Sequence, residues 1–210
     1  FVAFILLKKD HIPMRWQKGN LPFLLIRSVC GTLGILGNFY AIDHLVLADA
    51  SMLNKMSPFF AVVFAALFLK EKCKPVQAAA IMGAFIGSLF IIKPTFTNME
   101  LIPSLIGFAG GLFAGAAYTA VRYLGLRGEN GRFIVFFFSA FSCIALLPYI
   151  LFHFEPMTMW QLLMLLMAGV SATGGQFSIT AAYCYAAPRE ISVYDYSQIL
   201  FSTTLGYFLF

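Results

Sequence analysis

Charge is what this chain has least of. Among 210 residues there are 14 Lys or Arg and 9 Asp or Glu, so 11% are charged and 60% hydrophobic. Soluble domains carry roughly 25% charged and 45–50% apolar residues. A soluble exterior needs more polar cover than this sequence can supply. From Pro156 to Pro188 there is no Asp, Glu, Lys or Arg. With a mean hydropathy of +0.85, the composition predicts an all-α polytopic membrane protein.

Other absences narrow the function. The four cysteines, Cys30, Cys73, Cys143 and Cys184, fall one per segment with no CxxC or metal-ligand spacing, which reads as small apolar fillers. No metal or other cofactor is expected. The three histidines, His11, His44 and His153, fall in predicted loops, and no HExxH, GxSxG or GxxxxGK[ST] occurs. Those gaps argue against an enzyme and against an ATP-driven pump within the chain. The net charge of +5 comes with no basic helix or basic–aromatic platform, so no nucleic-acid partner is expected.

What is present is a series of apolar runs. Crossing about 30 Å of hydrocarbon takes about 20 helical residues. Suitable runs are Leu21–Ile42, Ala48–Leu69, Val76–Ile92, Leu101–Val121, Phe133–Phe152, Trp160–Ala186 and Ser192–Phe210. Phe1–Leu7 is too short to span, and Phe210 falls inside an apolar run. Part of an element is therefore expected before Phe1, and at least one more beyond Phe210. No signal peptide is read.

The basic residues orient these spans, because Lys and Arg of short loops stay on the cytoplasmic side. If the helices alternate, Lys8, Lys9, Arg15, Lys18, Lys70, Lys72, Lys74, Arg122, Arg127, Arg132 and Arg189 share one side, and the opposite loops hold only Lys93. Arg27 and Lys55 fall inside spans. Arg27, near the cytoplasmic end of its helix, is expected to snorkel to the interface.

Sliding the chain by 141 positions aligns Gly31–Leu69 with Ala172–Phe210 without a gap. Thr32 meets Thr173, Gly34 meets Gly175, Ala41 meets Ala182, Ser51 meets Ser192 and Phe60 meets Phe201. These identities are few. The parity of the aligned helices is more telling, since the two copies run in opposite directions, as in carriers built from inverted repeats. Glycines four apart (Gly107, Gly111 and Gly115; Gly83 and Gly87) predict close helix packing. Phe133–Phe152 reads as a lipid-facing helix.

Ala48–Leu69 carries a polar stripe at helical spacing: Ser51, Asn54 or Lys55, and Pro58. Lys55 lies seven residues in, about 10 Å below the outer edge. A lysine stem reaches only about 6 Å, and a charge at depth usually faces a bundle interior or aqueous cavity. Pro58 withholds a backbone donor from the carbonyl near Asn54, making it a candidate hinge. In the aligned stretch Asp195 stands opposite Asn54, and Gln198 opposite Ser57. Asp195 is expected within a turn of the cytoplasmic interface, so Lys55 and Asp195 would mark opposite ends of one path. Asn38, Tyr40, Tyr118, Thr119, Gln176, Thr180 and Tyr183 add polar or aromatic groups on neighbouring helices.

The stretch AIDHLVLADASMLNKMSPFFAVVFAALFLKEK, Ala41–Lys72, resembles the first-repeat signature of the drug/metabolite transporter superfamily, EamA type. The matching elements are Ala41, Ser57, Pro58, Leu69 and Glu71, followed by Gly83, Gly87 and Ile91–Pro94. Ala181–Phe210 resembles the second-repeat counterpart, without a proline at Ile199 opposite Pro58. The resemblance implies two inverted five-helix repeats, with about eight of the ten helices present and both termini cytoplasmic. Residues 1–94 would form the first repeat and 101–210 the second. It also implies a secondary carrier of small metabolites.

The combined reading is an alternating-access permease in the bacterial inner or plasma membrane. Its substrates would be amino acids or related compounds. Lys55 would attract an anionic group of the substrate. Asn54, Ser51, Tyr118, Gln176 and Gln198 would supply hydrogen bonds, and Asp195 would take a proton or cationic group. Two alternatives stay open. One is a carrier for a nucleotide-like or S-adenosylmethionine-like metabolite stacked on Tyr118, Tyr183, Tyr194 and Tyr196. The other is a non-transporting scaffold or sensor. The expected partners are a small-molecule substrate and the lipid bilayer, with a homodimer among the allowed assemblies.

Overall fold

Every apolar run of the sequence becomes helix. A computed structural model describes residues 2–92, 100–154 and 156–209. Among the described residues there is no strand, and the helices are α1 (Val2–Lys9), α2 (Leu21–His44), α3 (Leu47–Asn54), α4 (Ser57–Phe68), α5 (Pro75–Ile92), α6 (Leu101–Leu126), α7 (Gly131–Phe152), α8 (Met159–Tyr185), α9 (Pro188–Asp195) and α10 (Ser197–Leu209). Among the described residues, five stretches are long and apolar enough to cross a membrane: α2, α3 with α4, α6, α7 and α8. The protein is an all-α, multi-pass membrane protein.

Local chemistry sets several helix starts. Thr158 and Gln161 form a reciprocal capping box on α8, and the Asn130 side chain accepts from the Arg132 N–H at α7; both arrangements satisfy N–H groups left free at a helix start. Pro188 opens α9, where its missing N–H costs nothing. That start matters below, because it places Asp195 a full half-helix from the loop.

Helix α6 is the hub of the bundle, packed against α2, α3, α4, α8 and α9. Its small residues serve two faces. A Cβ at Gly34 of α2 would lie 3.1 Å from the Ala114 N, and one at Gly37 would lie 3.0 Å from the Ile106 carbonyl. On the other face, a Cβ at Gly111 would lie 2.8 Å from the Leu53 carbonyl, and one at Gly115 would lie 2.9 Å from the Ser57 carbonyl. Backbones this close leave no room for side chains, which is the packing expected of a small-residue stripe.

The second glycine pair behaves differently. Around Gly83 and Gly87, a Cβ would meet nothing within 4 Å among the described residues. Spacing allows a close approach but supplies no partner to approach.

Helix α7 is another correction. Phe133, Ile134, Val135 and Phe138 are buried, and Phe136 and Phe137 pack against the core. Only its second half, around Ile144–Phe152, faces outward. An all-apolar helix gives no sequence contrast between a side facing lipid and a side facing protein. Arg122 likewise sits in α6, which runs five residues beyond the expected Val121.

The loops rich in Lys and Arg do gather at one end. Arg132 pairs with Asp10. Glu129 Oε2 accepts from Asn20 Nδ2 at 2.7 Å and from the Gln17 N–H at 3.2 Å. Arg122 Nε donates to Glu71 Oε1 at 2.9 Å, and Arg189 donates to the Lys72 carbonyl at 2.6 Å. Lys93 and Pro94 lie outside the described residues.

Candidate substrate cavity between two broken helices

The span that carries Lys55 is not a continuous helix. It stops at Asn54, turns through Lys55 and Met56, and resumes at Ser57. Pro58 has no N–H to return to the Asn54 carbonyl, which explains why regular α-helix fails there. The last span breaks in the same way, with α9 ending at Asp195 and α10 starting at Ser197. α3 and α9 are both eight residues long and begin 141 positions apart, the offset found in the sequence. The second break has no proline. Here Ser197 Oγ donates to the Tyr194 carbonyl at 2.7 Å, so a side chain competes with the backbone for that acceptor.

The two breaks touch. Tyr196 donates its hydroxyl to the Lys55 carbonyl at 3.1 Å, satisfying a group exposed by the first break. Ser192 Oγ approaches the Pro58 carbonyl at 3.3 Å. Lys55 Nζ donates to Gln198 Oε1 at 2.7 Å and lies 3.5 Å from the Asp195 carbonyl oxygen. The Asp195 carboxylate accepts from the Tyr183 hydroxyl at 3.0 Å.

A cavity of about 290 Å³ opens beside this junction. The first broken helix contributes Asn54, Lys55, Ser57 and Pro58, and the second contributes Asp195 and Gln198. Tyr118 of α6 and Gly175, Gln176 and Ile179 of α8 complete the wall. Tyr118 stacks face to face on Tyr183, with centroids 4.7 Å apart. Gln176 donates to Thr180 Oγ1 at 3.2 Å.

Asn54, Lys55, Tyr118, Gln176, Asp195 and Gln198 thus come together with Pro58, as the sequence suggested. Ser51 does not line the cavity; it lies one turn back, where its carbonyl accepts the Lys55 N–H at 3.0 Å. The depth expected of Asp195 is corrected. Because α9 begins at Pro188, Asp195 lies about 10 Å along it, so it meets Lys55 at the same level. The two do not mark separate ends of a path.

Arg27 is corrected as well. Its side chain is buried, with its guanidinium 4.1 Å above the Phe138 ring. It lies six residues past Leu21, about 9 Å along the helix, and turns inward instead of snorkelling. The depth argument that singles out Lys55 applies equally to Arg27. Tyr183 and Tyr196 also matter more than a stacking role suggests, since both hydroxyls hold the junction. Their partners lie on other helices, and no sequence spacing reveals them.

Comparison with known proteins places this architecture. The EamA-like transporter family model matches residues 1–93. The pseudopaline exporter CntI of Pseudomonas aeruginosa strain UCBPP-PA14 is 32% identical over 207 residues, covering 98% of this chain and 72% of that protein. The chain belongs to the EamA-like transporter family. Human solute carrier family 35 member G1 is 28% identical over 201 residues, covering 88% of this chain and 54% of its own length. A crystal structure with 17% identity aligns with a TM-score of 0.79, covering 97% of this chain and 72% of that one, a likeness of fold.

Within this EamA-like transporter, larger cavities lie elsewhere. One of about 620 Å³ opens at the basic end beside Glu129, Arg132 and Cys184. Its charges are already engaged, Glu129 by Asn20 and Gln17, and Arg132 by Asp10. Another of about 610 Å³, between Phe23, Phe64, Phe68 and Tyr123, is mainly apolar. The smaller cavity combines a half-buried lysine, a carboxylate and amide side chains.

Proposed function

We propose that this membrane transporter is a secondary carrier of small metabolites bearing a carboxylate and an ammonium group, such as amino acids and related compounds. The observation behind this reading is the convergence of Lys55 and Asp195 on one cavity from two broken helices. Lys55 Nζ would take the carboxylate and the Asp195 carboxylate the ammonium. Asn54, Gln176, Gln198 and the Tyr118 hydroxyl would complete the hydrogen bonds, with Ser51 supporting Lys55 from behind. The volume is at the lower end of the roughly 300–1,000 Å³ typical of ligand cavities, which suits a metabolite of amino-acid size.

Transport would proceed by alternating access. Residues 1–94 and 101–210 would form two inverted repeats, a reading supported by half-helices that break 141 positions apart. In this arrangement the basic end faces the cytoplasm, and Pro58 serves as a hinge. The name of CntI makes export the first direction to test.

The adenosyl-type substrate has less support. Tyr118 and Tyr183 stack on each other, and the Tyr196 hydroxyl is held by the Lys55 carbonyl, so these rings are already engaged. Untargeted metabolite exchange by the protein reconstituted in lipid vesicles tests the proposal. Flux of amino acids or their derivatives is expected. Flux restricted to adenosyl compounds, or no flux of any metabolite pool, overturns it.

A further inference from the structure

The apolar cavity between α2, α4 and α6 plays no part in the proposed binding scheme, and it shares no lining residue with the Lys55 cavity. It holds about 610 Å³. Helices α2 and α4 both pack on α6 and leave one of its faces between them. Ala116 and Ala120, four apart on that face, give the groove its depth, and Phe23, Phe64 and Phe68 flank them. The Thr119 hydroxyl is already bonded to the Gly115 and Ala61 carbonyls, at 3.0 and 3.2 Å. Phe68 is 74% exposed, so the groove opens sideways, toward the bilayer.

The basic end of this groove is what sets it apart from ordinary lipid-facing surface. Tyr123, one of the lining residues, stacks on Phe23 with centroids 3.9 Å apart and carries the Arg127 guanidinium 4.8 Å from its ring centroid. A Cβ at Gly19 would lie 3.3 Å from Arg127 Nη1, so the guanidinium also rests against the loop that carries Lys18. Leu69, another lining residue, is followed directly by Lys70, which takes a left-handed conformation at φ 57°. Lys18, Lys70 and Arg127 are exposed, and none pairs with a carboxylate among the described residues. An apolar trough that ends at unpaired cations has the shape and charge of one kind of ligand. Basic pockets between transmembrane helices bind anionic lipid headgroups, and the arginine fork suits phosphate. An apolar solute would fill the groove but leave Arg127 without a counter-charge.

We propose that the groove between α2, α4 and α6 is a binding site for an anionic phospholipid. An acyl chain lies along Ala116 and Ala120, the phosphate sits at Arg127, and Lys18 and Lys70 add to the positive rim. The site is independent of Lys55 and Asp195.

The test uses native mass spectrometry of the purified protein with phosphatidylglycerol or phosphatidylcholine of identical acyl chains, together with the melting temperature of each mixture. Wild type is expected to retain phosphatidylglycerol in preference and to melt higher with it. Arg127→Gln should lower that preference about fivefold, the scale of one basic residue at an anionic membrane surface, and Arg127→Lys should recover part of it. Lys9→Gln changes a charge of the same basic end on α1, which packs against α7, and should leave the preference unchanged. Ala116→Phe fills the groove and should reduce retention of both lipids. Equal retention of the two lipids by wild type overturns the proposal, as does an unchanged preference in Arg127→Gln. Equal falls in Arg127→Gln and Lys9→Gln would mean diffuse attraction to the basic end and overturn the site. Unchanged retention in Ala116→Phe overturns the placement of the acyl chain. A dimer that retains neither lipid assigns the groove to a second copy of the chain and overturns the proposal.

Discussion

In α3–α4 the break around Lys55 and Met56 is followed by Pro58, whereas α9–α10 breaks at Tyr196 with isoleucine at the corresponding position. The first break is covalent, because no rearrangement can give Pro58 an N–H. The second depends on side chains, with Ser197 occupying the Tyr194 carbonyl and Tyr196 tied to the opposite helix. Their surroundings differ too. The first break is clamped against α6 by the glycine stripe, with Gly111 against Leu53 and Gly115 against Ser57 and Ala61. Similar bends therefore arise from a permanent defect held tightly and from a conditional one held by a few hydrogen bonds. The comparison suggests that α9–α10 is the more adjustable arm.

The largest effect is expected at the side chain that joins the two arms. Lys55→Met should lower transport about a hundredfold, as for loss of a charge contact to a bound partner, in vesicle uptake normalised to membrane-inserted protein. Normal transport by this variant would remove Lys55 from the site and with it the functional meaning of the junction. Gly115→Leu attacks the clamp on the first arm. Overpacking should cost about 1–3 kcal/mol, read as a lower melting temperature in detergent, because the new side chain would meet the α4 backbone. An unchanged melting temperature would show that α4 is not held there.

Smaller effects should separate the two arms. Pro58→Ala restores the missing donor and should slow transport several-fold at little cost in stability, measured as turnover against melting temperature. An unchanged turnover would remove Pro58 as a hinge. Ser197→Ala frees the Tyr194 carbonyl and should change stability by no more than about 1 kcal/mol, the typical net worth of one hydrogen bond. If Ser197→Ala slowed transport more than Pro58→Ala, the ranking of permanent and conditional breaks would be reversed.

Much of this molecule is legible in its sequence for a simple reason. Spanning a bilayer forces backbone groups to bond within their own segment, so apolar runs of sufficient length become helices whatever their neighbours do. All seven expected runs appear as helix, and among the described residues five stretches are long and apolar enough to cross a membrane. The gathering of basic loops at one end also follows from chain order and charge. Lys55 and Arg27 both fall inside apolar runs, and their depth exceeds or approaches the reach of a side-chain stem.

What stayed illegible depends on partners from distant parts of the chain. Gly111 and Gly83 sit in similar patterns, yet one meets a carbonyl and the other open space. Phe133–Phe138 looks like lipid-facing sequence and forms part of the core. The depth of Asp195 depends on helix α9 starting at Pro188, four residues ahead of the apolar run that begins at Ser192. Composition and periodicity alone determined a helical membrane protein with a charge to account for. Only the tertiary structure decided that Lys55 and Asp195 share one layer and that Arg27 turns inward onto Phe138, because such meetings arise through packing between helices, and no sequence spacing encodes them.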